Sequence, residues 1–268
     1  MRAETDATDG TDAAEGAAAS VIHAGMKAGT LDPAGLAWLG DDTDAGLRIQ
    51  LRVLDRWRAE GDSVGGWKVG LTSRSLKDSM GQGFRPFGYI RSSRVFESGA
   101  RLAVGDLAGC SVEPELCWLI AEPLAGRSPD PDTVRAALGG VSPSLEIVQH
   151  RLPARAPKGL QLADDLKNWG LVVGPTLPVP EAAAPNSVLF TRDDEILFSG
   201  SPDVIDDHML SLSRICTTLA RFGLGLEPGQ RVITGSLAAP VPVQGSSTFA
   251  ASFEHFGTVE LLVDGPAT

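Results

Sequence analysis

The stretch Ser111-Val112-Glu113-Pro114-Glu115-Leu116-Cys117-Trp118-Leu119-Ile120 reads as a β-strand that carries charge where a strand interior is ordinarily apolar. Strand side chains alternate between faces, so Glu113 and Glu115 share one face. The opposite face is Val112, Pro114, Leu116, Trp118 and Ile120, which is core material. Further along, Glu146 sits between Leu145 and Ile147-Val148 in Ser142-Pro143-Ser144-Leu145-Glu146-Ile147-Val148-Gln149. Two unit charges about 4 Å apart repel by roughly 4 kcal/mol at an effective dielectric near 20. Three such carboxylates need protons or a cation, and a hard divalent metal with oxygen ligands meets that need. Oxygen-only ligands favour Mg2+, Mn2+ or Ca2+ over zinc. The alternative from the residues alone is a glutamate pair on a solvent face, and the core-type flanks of both segments weigh against it.

The 268 residues suffice for one large domain, or for one domain with an N-terminal appendage. A hydrophobic share of 43% supports a sizeable core, and 31 glycines with 18 prolines favour many turns over a helix bundle. The net charge of −11 argues against nucleic acid and anionic membrane surfaces. It leaves an anionic small substrate open, because a bound divalent cation inverts the local field. Cys110, Cys117 and Cys216 show no CxxC spacing and read as buried thiols of a cytoplasmic protein. Residues 1–16 are nearly devoid of large apolar groups and read as a disordered tail, not a targeting peptide. No apolar run is long enough to span a membrane.

Residues 17–64 read as a helical region and 65–268 as a β-rich domain. Helical spacing recurs over 17–26 and 44–60, the second with Leu47, Leu51, Val53, Leu54 and Trp57 as its stripe and Asp41, Asp42 or Thr43 as cap. Residues 65–72, 95–102, 145–149, 170–174, 226–236 and 258–263 carry strand signals, and 188–198 a hairpin around Asp193-Asp194. Short helices are expected over 73–80 and 131–138, a long one over 205–222, and loop over 151–165. Without regular βαβ alternation, the fold class is α+β.

Lys68 lies in Gly66-Trp67-Lys68-Val69-Gly70, where glycines on its own face leave bare backbone around the ammonium. It is either a lysine snorkelling to solvent or a proton carrier whose pKa is lowered beside a metal. Gly235-Ser236-Leu237 offers a small turn with free amides and a hydroxyl for a carboxylate, although most such segments are plain turns. Asp164 in Leu162-Ala163-Asp164-Asp165 reads as a cap or a supporting acid. The histidines are scattered, and only His150 shares the parity of Glu146.

Together these segments resemble the 2-keto-4-pentenoate hydratase and 4-oxalocrotonate decarboxylase branch of the fumarylacetoacetate hydrolase superfamily. The resemblance runs from about Asp44 to Val263 through Gln50, GWKVGLTS (66–73), SVEPEL with SLEIV, LADD (162–165) and ITGSLAAPVPV (233–243). It implies a β-rich roll with peripheral helices and a homo-oligomer. It further implies Mg2+ or Mn2+ on Glu113, Glu115 and Glu146, a catalytic Lys68 supported by Asp164, and a substrate carboxylate at Ser236 with Gly235 and Leu237. Departures fall at Gly83-Phe84-Arg85-Pro86, Gln149, Asp165, Lys167 and Asp206-Asp207-His208, so the substrate-facing shell has changed more than the ligand set.

The implied activity is that of a lyase on a 2-oxo acid or 2-hydroxydienoate, foremost hydration of a 2-hydroxypenta-2,4-dienoate-like substrate through a metal-stabilised dienolate. The rivals are decarboxylation of a 4-oxalocrotonate-like acid, C–C hydrolysis or tautomerisation, a biosynthetic isomerase or cyclase reusing the site, and a catalytically silent partner subunit.

Overall fold

The computed structural model describes residues 2–265 apart from 74, 127, 182–183, 186 and 202–204, with side chains from residue 10 onward. In chain order the elements are α1 (Arg2–Ala28), α2 (Thr43–Ala59), β1 (Val64–Val69), β2 (Phe87–Arg91), β3 (Val95–Glu97), β4 (Ala100–Ala103), β5 (Cys110–Ile120), α3 (Pro131–Ala136) and β6 (Leu138–Gln149). There follow α4 (Lys158–Ala163), β7 (Asn168–Val173), β8 (Val188–Arg192), β9 (Glu195–Gly200), α5 (His208–Ala220), β10 (Arg231–Ile233), β11 (Val241–Pro242), β12 (Ser247–Phe253) and β13 (Gly257–Asp264). The fold is α+β.

Two compact units emerge. The helical unit comprises Met1–Ser63 and His150–Lys167, and the β unit Val64–Gln149 and Asn168–Thr268. The expectation that 65–268 forms one catalytic domain is thus corrected: 150–167 groups with the N-terminal helices. The expected loop there contains α4, whose Gly159 approaches Gly46 of α2 so closely that a Cβ on Gly46 would meet the Gly159 carbonyl oxygen at 2.3 Å. Gln50 Nε2 adds a buried hydrogen bond to the Leu162 carbonyl, 3.0 Å away. Helix α2 starts on Asp42, whose side chain accepts from the Ala45 amide. Where composition predicts a disordered tail, α1 runs from Arg2. Among the described side chains, Glu15 supplies the reason: it is buried and paired with Arg48 at 2.7 Å and with Arg52.

In the β unit, one sheet has the order β2-β1-β10-β5-β6-β7-β3, with β11 pairing β5, and the other has β4-β13-β12-β8-β9. Strand β2 begins that order and β7 stands near its other end, yet Ile90 of β2 packs with Leu171 and Val173 of β7, together with Cys117 and Ile233. Such contacts require the sheet to curl into a roll with these residues inside. Strand β5 is buried on both faces, with Val112, Leu116 and Trp118 fully inaccessible. Its Pro114 has no N–H to give to a ladder. The flanking strands respect that gap: β10 pairs with Cys117–Leu119 and β11 with Ser111–Val112, leaving Pro114 between them.

Several expected elements shift. Residues 75–80 form turns instead of a helix, because Asp78 takes a left-handed φ of 63° while its carboxylate accepts from the Gly83 amide. The segment read as 145–149 is a strand of 12 residues, paired along nearly all of β5. Strand 226–236 contracts to Arg231–Ile233, and β12 is an addition. The hairpin turns at Asp193-Asp194, both with positive φ, as a type I′ turn requires.

Gly46→Ala should destabilise the chain by about 1–3 kcal/mol in urea unfolding, the usual cost of overpacking. Gly16→Ala, on a helix of this unit with nothing within 4 Å of the added Cβ, should gain about 0.5–1 kcal/mol.

Candidate metal centre

The site is built by strand register. Glu113 of β5 stands directly opposite Glu146 of β6, and Glu115 is opposite Ser144. Each of the three glutamates offers a carboxylate oxygen, and these oxygens lie within 4.8 Å of one another. Glu146 and Glu115 are buried, with 0% and 2% exposure, and Glu113 is half-buried. The sequence-predicted ligand trio is therefore brought together on the inner face of the roll.

Lys68 of β1 joins them, its Nζ 2.6 Å from Glu146 Oε1. The same oxygen accepts from Asn168 Nδ2 at 2.9 Å, a partner that sequence reasoning missed. Asn168 opens β7, whose Leu171 is paired with Glu146, and that pairing could have pointed to it only once the register was known. Burial pulls the Lys68 pKa down, but Glu146, then Glu113 and Glu115, more than offset it and hold it above its ordinary value. A lowered Lys68 pKa is the expectation for a lysine beside a bound metal; without a cation, the three carboxylates outweigh desolvation.

Burial, followed by the charges of Glu146 and Glu113, raises the Glu115 carboxyl well above the usual carboxylate range. Glu146 Oε2 is buried and has no hydrogen-bond partner among the described residues. One ammonium against three carboxylates leaves negative charge in excess, and a buried acceptor is left over. Both features fit a hard divalent cation, and the all-oxygen donor set fits Mg2+, Mn2+ or Ca2+.

The turn after β10 supports this cluster from behind. Gly235 donates its amide to Glu115 Oε2 at 2.7 Å, and Leu237 donates to the Pro114 carbonyl at 2.9 Å. These amides are engaged in holding the ligand strand, which corrects the expectation that they are free for a substrate carboxylate. Gly235 has φ 117°, and a Cβ there would collide with Thr72 Oγ1, so only glycine fits. Ser236 turns its hydroxyl back to the Ala238 carbonyl at 2.6 Å. Just before the turn, Thr234 Oγ1 is shared by Trp118 Nε1 and by His208 Nδ1, and burial drives the His208 pKa to about 4.

Asp164 belongs to the helical unit. Arg151 Nε donates to its Oδ1 at 2.7 Å, while Oδ2 is buried without a partner among the described residues. Burial raises the Asp164 pKa despite the opposing pull of Arg151. Asp165, Leu166 and Lys167 then take left-handed φ values in succession, a conformation costly for residues with a Cβ. His150 is exposed, outside the ligand set. The three cysteines are buried and form no disulfide among the described residues, and burial pushes Cys117 and Cys216 up to about 12. No helix among the described residues is long and apolar enough to cross a membrane.

No protein-family model matches the chain. Among curated proteins it is 28% identical over 247 residues to 2-keto-4-pentenoate hydratase 1 of Dechloromonas aromatica, covering 88% of this chain and 94% of that protein. It is 26% identical over 219 residues to 2-hydroxyhexa-2,4-dienoate hydratase of Comamonas testosteroni, covering 80% and 83%. A solved structure of 4-oxalocrotonate decarboxylase from Pseudomonas putida G7, complexed with magnesium and adipate, superposes with a TM-score of 0.85 at 20% identity, covering 93% of this chain and 97% of that one. With its roll and its strand-borne carboxylates, the chain is similar in sequence to 2-keto-4-pentenoate hydratases and shares the fold of 4-oxalocrotonate decarboxylase and of fumarylacetoacetate hydrolase family proteins.

Proposed function

We propose that the chain is a divalent-metal-dependent lyase for 2-oxo acids or their enols, and that it hydrates a 2-hydroxypenta-2,4-dienoate-like substrate. The observation that carries this reading is the convergence of Glu113, Glu115 and Glu146 beside Lys68, with Glu146 Oε2 left unpartnered. The three glutamates would hold Mg2+ or Mn2+. When bound, such a cation supplies positive charge against which negative charge on a 2-oxo oxygen can build.

The chain's own residues handle protons. Lys68, held on Glu146 Oε1, would move the enol proton from oxygen to the far carbon, which converts the dienol to an enone. Water then adds across the conjugated double bond: its hydroxyl goes to one carbon and its proton to the neighbouring one. Asn168 fixes Glu146 and so the rest position of Lys68. Asp164 keeps an acceptor oxygen after pairing with Arg151, the feature that suits the water-orienting role assigned to it. Ser236 can take a substrate carboxylate by exchanging its bond to the Ala238 carbonyl.

A second reading, loss of CO2 from a 4-oxalocrotonate-like acid, draws on a Pseudomonas 4-oxalocrotonate decarboxylase that is 25% identical over 203 residues. It uses the same residues and differs in the bond broken. Exposed apolar side chains on the β8–β9 hairpin, Leu189 and Ile196, support assembly as a homo-oligomer. Three buried cysteines outside any disulfide suit the reducing cytoplasm.

Mg2+-dependent loss of dienoate ultraviolet absorbance without CO2 release is the expected outcome, and release of CO2 would move the assignment to the decarboxylase. Lys68→Met should lower kcat by roughly 10²–10⁴-fold, the span of general acid–base catalysis, while Mg2+ still raises Tm. Glu115→Gln and Glu146→Gln should abolish that rise. In the parent chain, Mg2+ at about 100 times its Kd should add roughly 2.7 kcal/mol, on the order of 5–10 °C.

The pH dependence follows from Glu115. Its folded pKa is raised, so its contribution to stability is complete below the ordinary value of 4.5 and is lost as pH climbs through the folded pKa. Thermal melts of metal-free protein should therefore show Tm falling as pH rises above that value. The increment from Mg2+ should grow over the same range, since the cation competes with the protons. An increment that is flat or shrinks with pH contradicts the proposed ligand set.

A further inference from the structure

A second polar feature lies on the inner face of the roll, away from the carboxylates. Arg231 is paired with Leu119, four residues beyond Glu115 on β5, or about 13 Å along the strand. Parity puts its side chain on the face of Glu115 and Cys117. Between the two ends lies the apolar plug of Ile90, Cys117, Leu171, Val173 and Ile233. Beyond the plug a cavity of about 480 Å3 opens, lined by Arg231 with Phe96, Glu97, Ser98, Pro175 and Thr176 among others.

Arg231 is under-satisfied there. Its Nη1 is buried without a hydrogen-bond partner, and the guanidinium bonds the Cys117 sulfur, a weak acceptor. The arginine ion pairs of the described residues nearby in sequence involve Arg151, Arg192 and Arg214, and not Arg231. Arg231 is half-buried and lines the cavity, and a carboxylate there would answer its guanidinium with charge-assisted hydrogen bonds. Ser98 Oγ accepts from the Glu260 amide, which leaves its proton free to donate into the cavity. Thr176 shares a bond with Ser142 at 3.0 Å, and Phe96 and Pro175 give apolar wall for a short carbon chain.

We propose that this far mouth of the roll is a second small-molecule site, which binds a carboxylate-bearing organic acid on the Arg231 guanidinium. The plug separates it from the candidate metal centre, so the inference does not rest on the proposed activity. Occupancy needs no metal.

Calorimetric titration of the full chain with succinate, at constant ionic strength and with chloride as the control anion, tests this. Saturable binding is expected, with similar affinity in EDTA-treated and Mg2+-supplemented protein. Arg231→Met should weaken it by roughly tenfold or more, as loss of a charge-assisted pair implies. Absence of binding beyond the chloride control overturns the proposal, as does binding that requires Mg2+ or that Arg231→Met leaves unchanged. Should Arg231→Met fail to fold, Glu97→Gln at an exposed position removes a carboxylate from the lining. It should tighten binding by about threefold through reduced repulsion, and unchanged affinity overturns the proposal equally.

Discussion

Mutual repulsion among Glu113, Glu115 and Glu146 is the constraint around which the β unit is organised. Their proximity follows from the register of one antiparallel pair, in which Glu113 faces Glu146. A slip of one residue would turn all of β6 over and replace Glu146 on that face by an apolar neighbour. Long pairing between β5 and β6, apolar on the outward face, makes that slip prohibitive. The energy that confines the acids therefore comes from Val112, Leu116 and Trp118, not from the acids themselves.

Pro114 has a matching role. Its lack of an N–H interrupts the ladder on one side of β5, between β10 and β11, and the Gly235-Ser236-Leu237 turn enters there. Two amides of that turn fasten Glu115 and the Pro114 carbonyl. The proline between the two glutamates is thus what admits the support for one of them. His208 and Trp118 meeting on Thr234 extend this support into the core, with the imidazole kept neutral by burial.

Much of this was legible in the sequence because period-two alternation reports directly on strand faces. Glu113 and Glu115 could be placed on one face, and Lys68 on the glycine face of its own strand, by counting, and the core flanks of Glu146 marked its strand as buried. What counting cannot supply is pairing. Asn168 reaches Glu146 only through the β6–β7 register, and the amides of Gly235 and Leu237 looked free because their acceptors are remote in sequence. The tail was misread for a related reason: α1 carries few apolar residues, and Glu15 is held by Arg48 and Arg52 of another helix. The direction of the Lys68 pKa depends on how many carboxylates remain uncompensated, which is a property of three strands together.

The same face of the curled sheet begins in acid and ends in base. Glu113, Glu115 and Glu146 occupy one end, Arg231 the other, and five apolar side chains lie between. An apolar plug of that kind keeps the carboxylates from collapsing onto the guanidinium as a self-satisfied ion pair. Each end is consequently left with charge that the chain does not neutralise: excess negative charge on the glutamates, and a guanidinium lacking an anion. Among the described residues, other buried charges meet a counter-charge, as Asp164 does with Arg151 and Asp206 with Arg85 and Arg214. Incomplete charge is thus concentrated in the lumen of the roll, where low dielectric makes it strongest and where an incoming cation or acid would gain most by completing it.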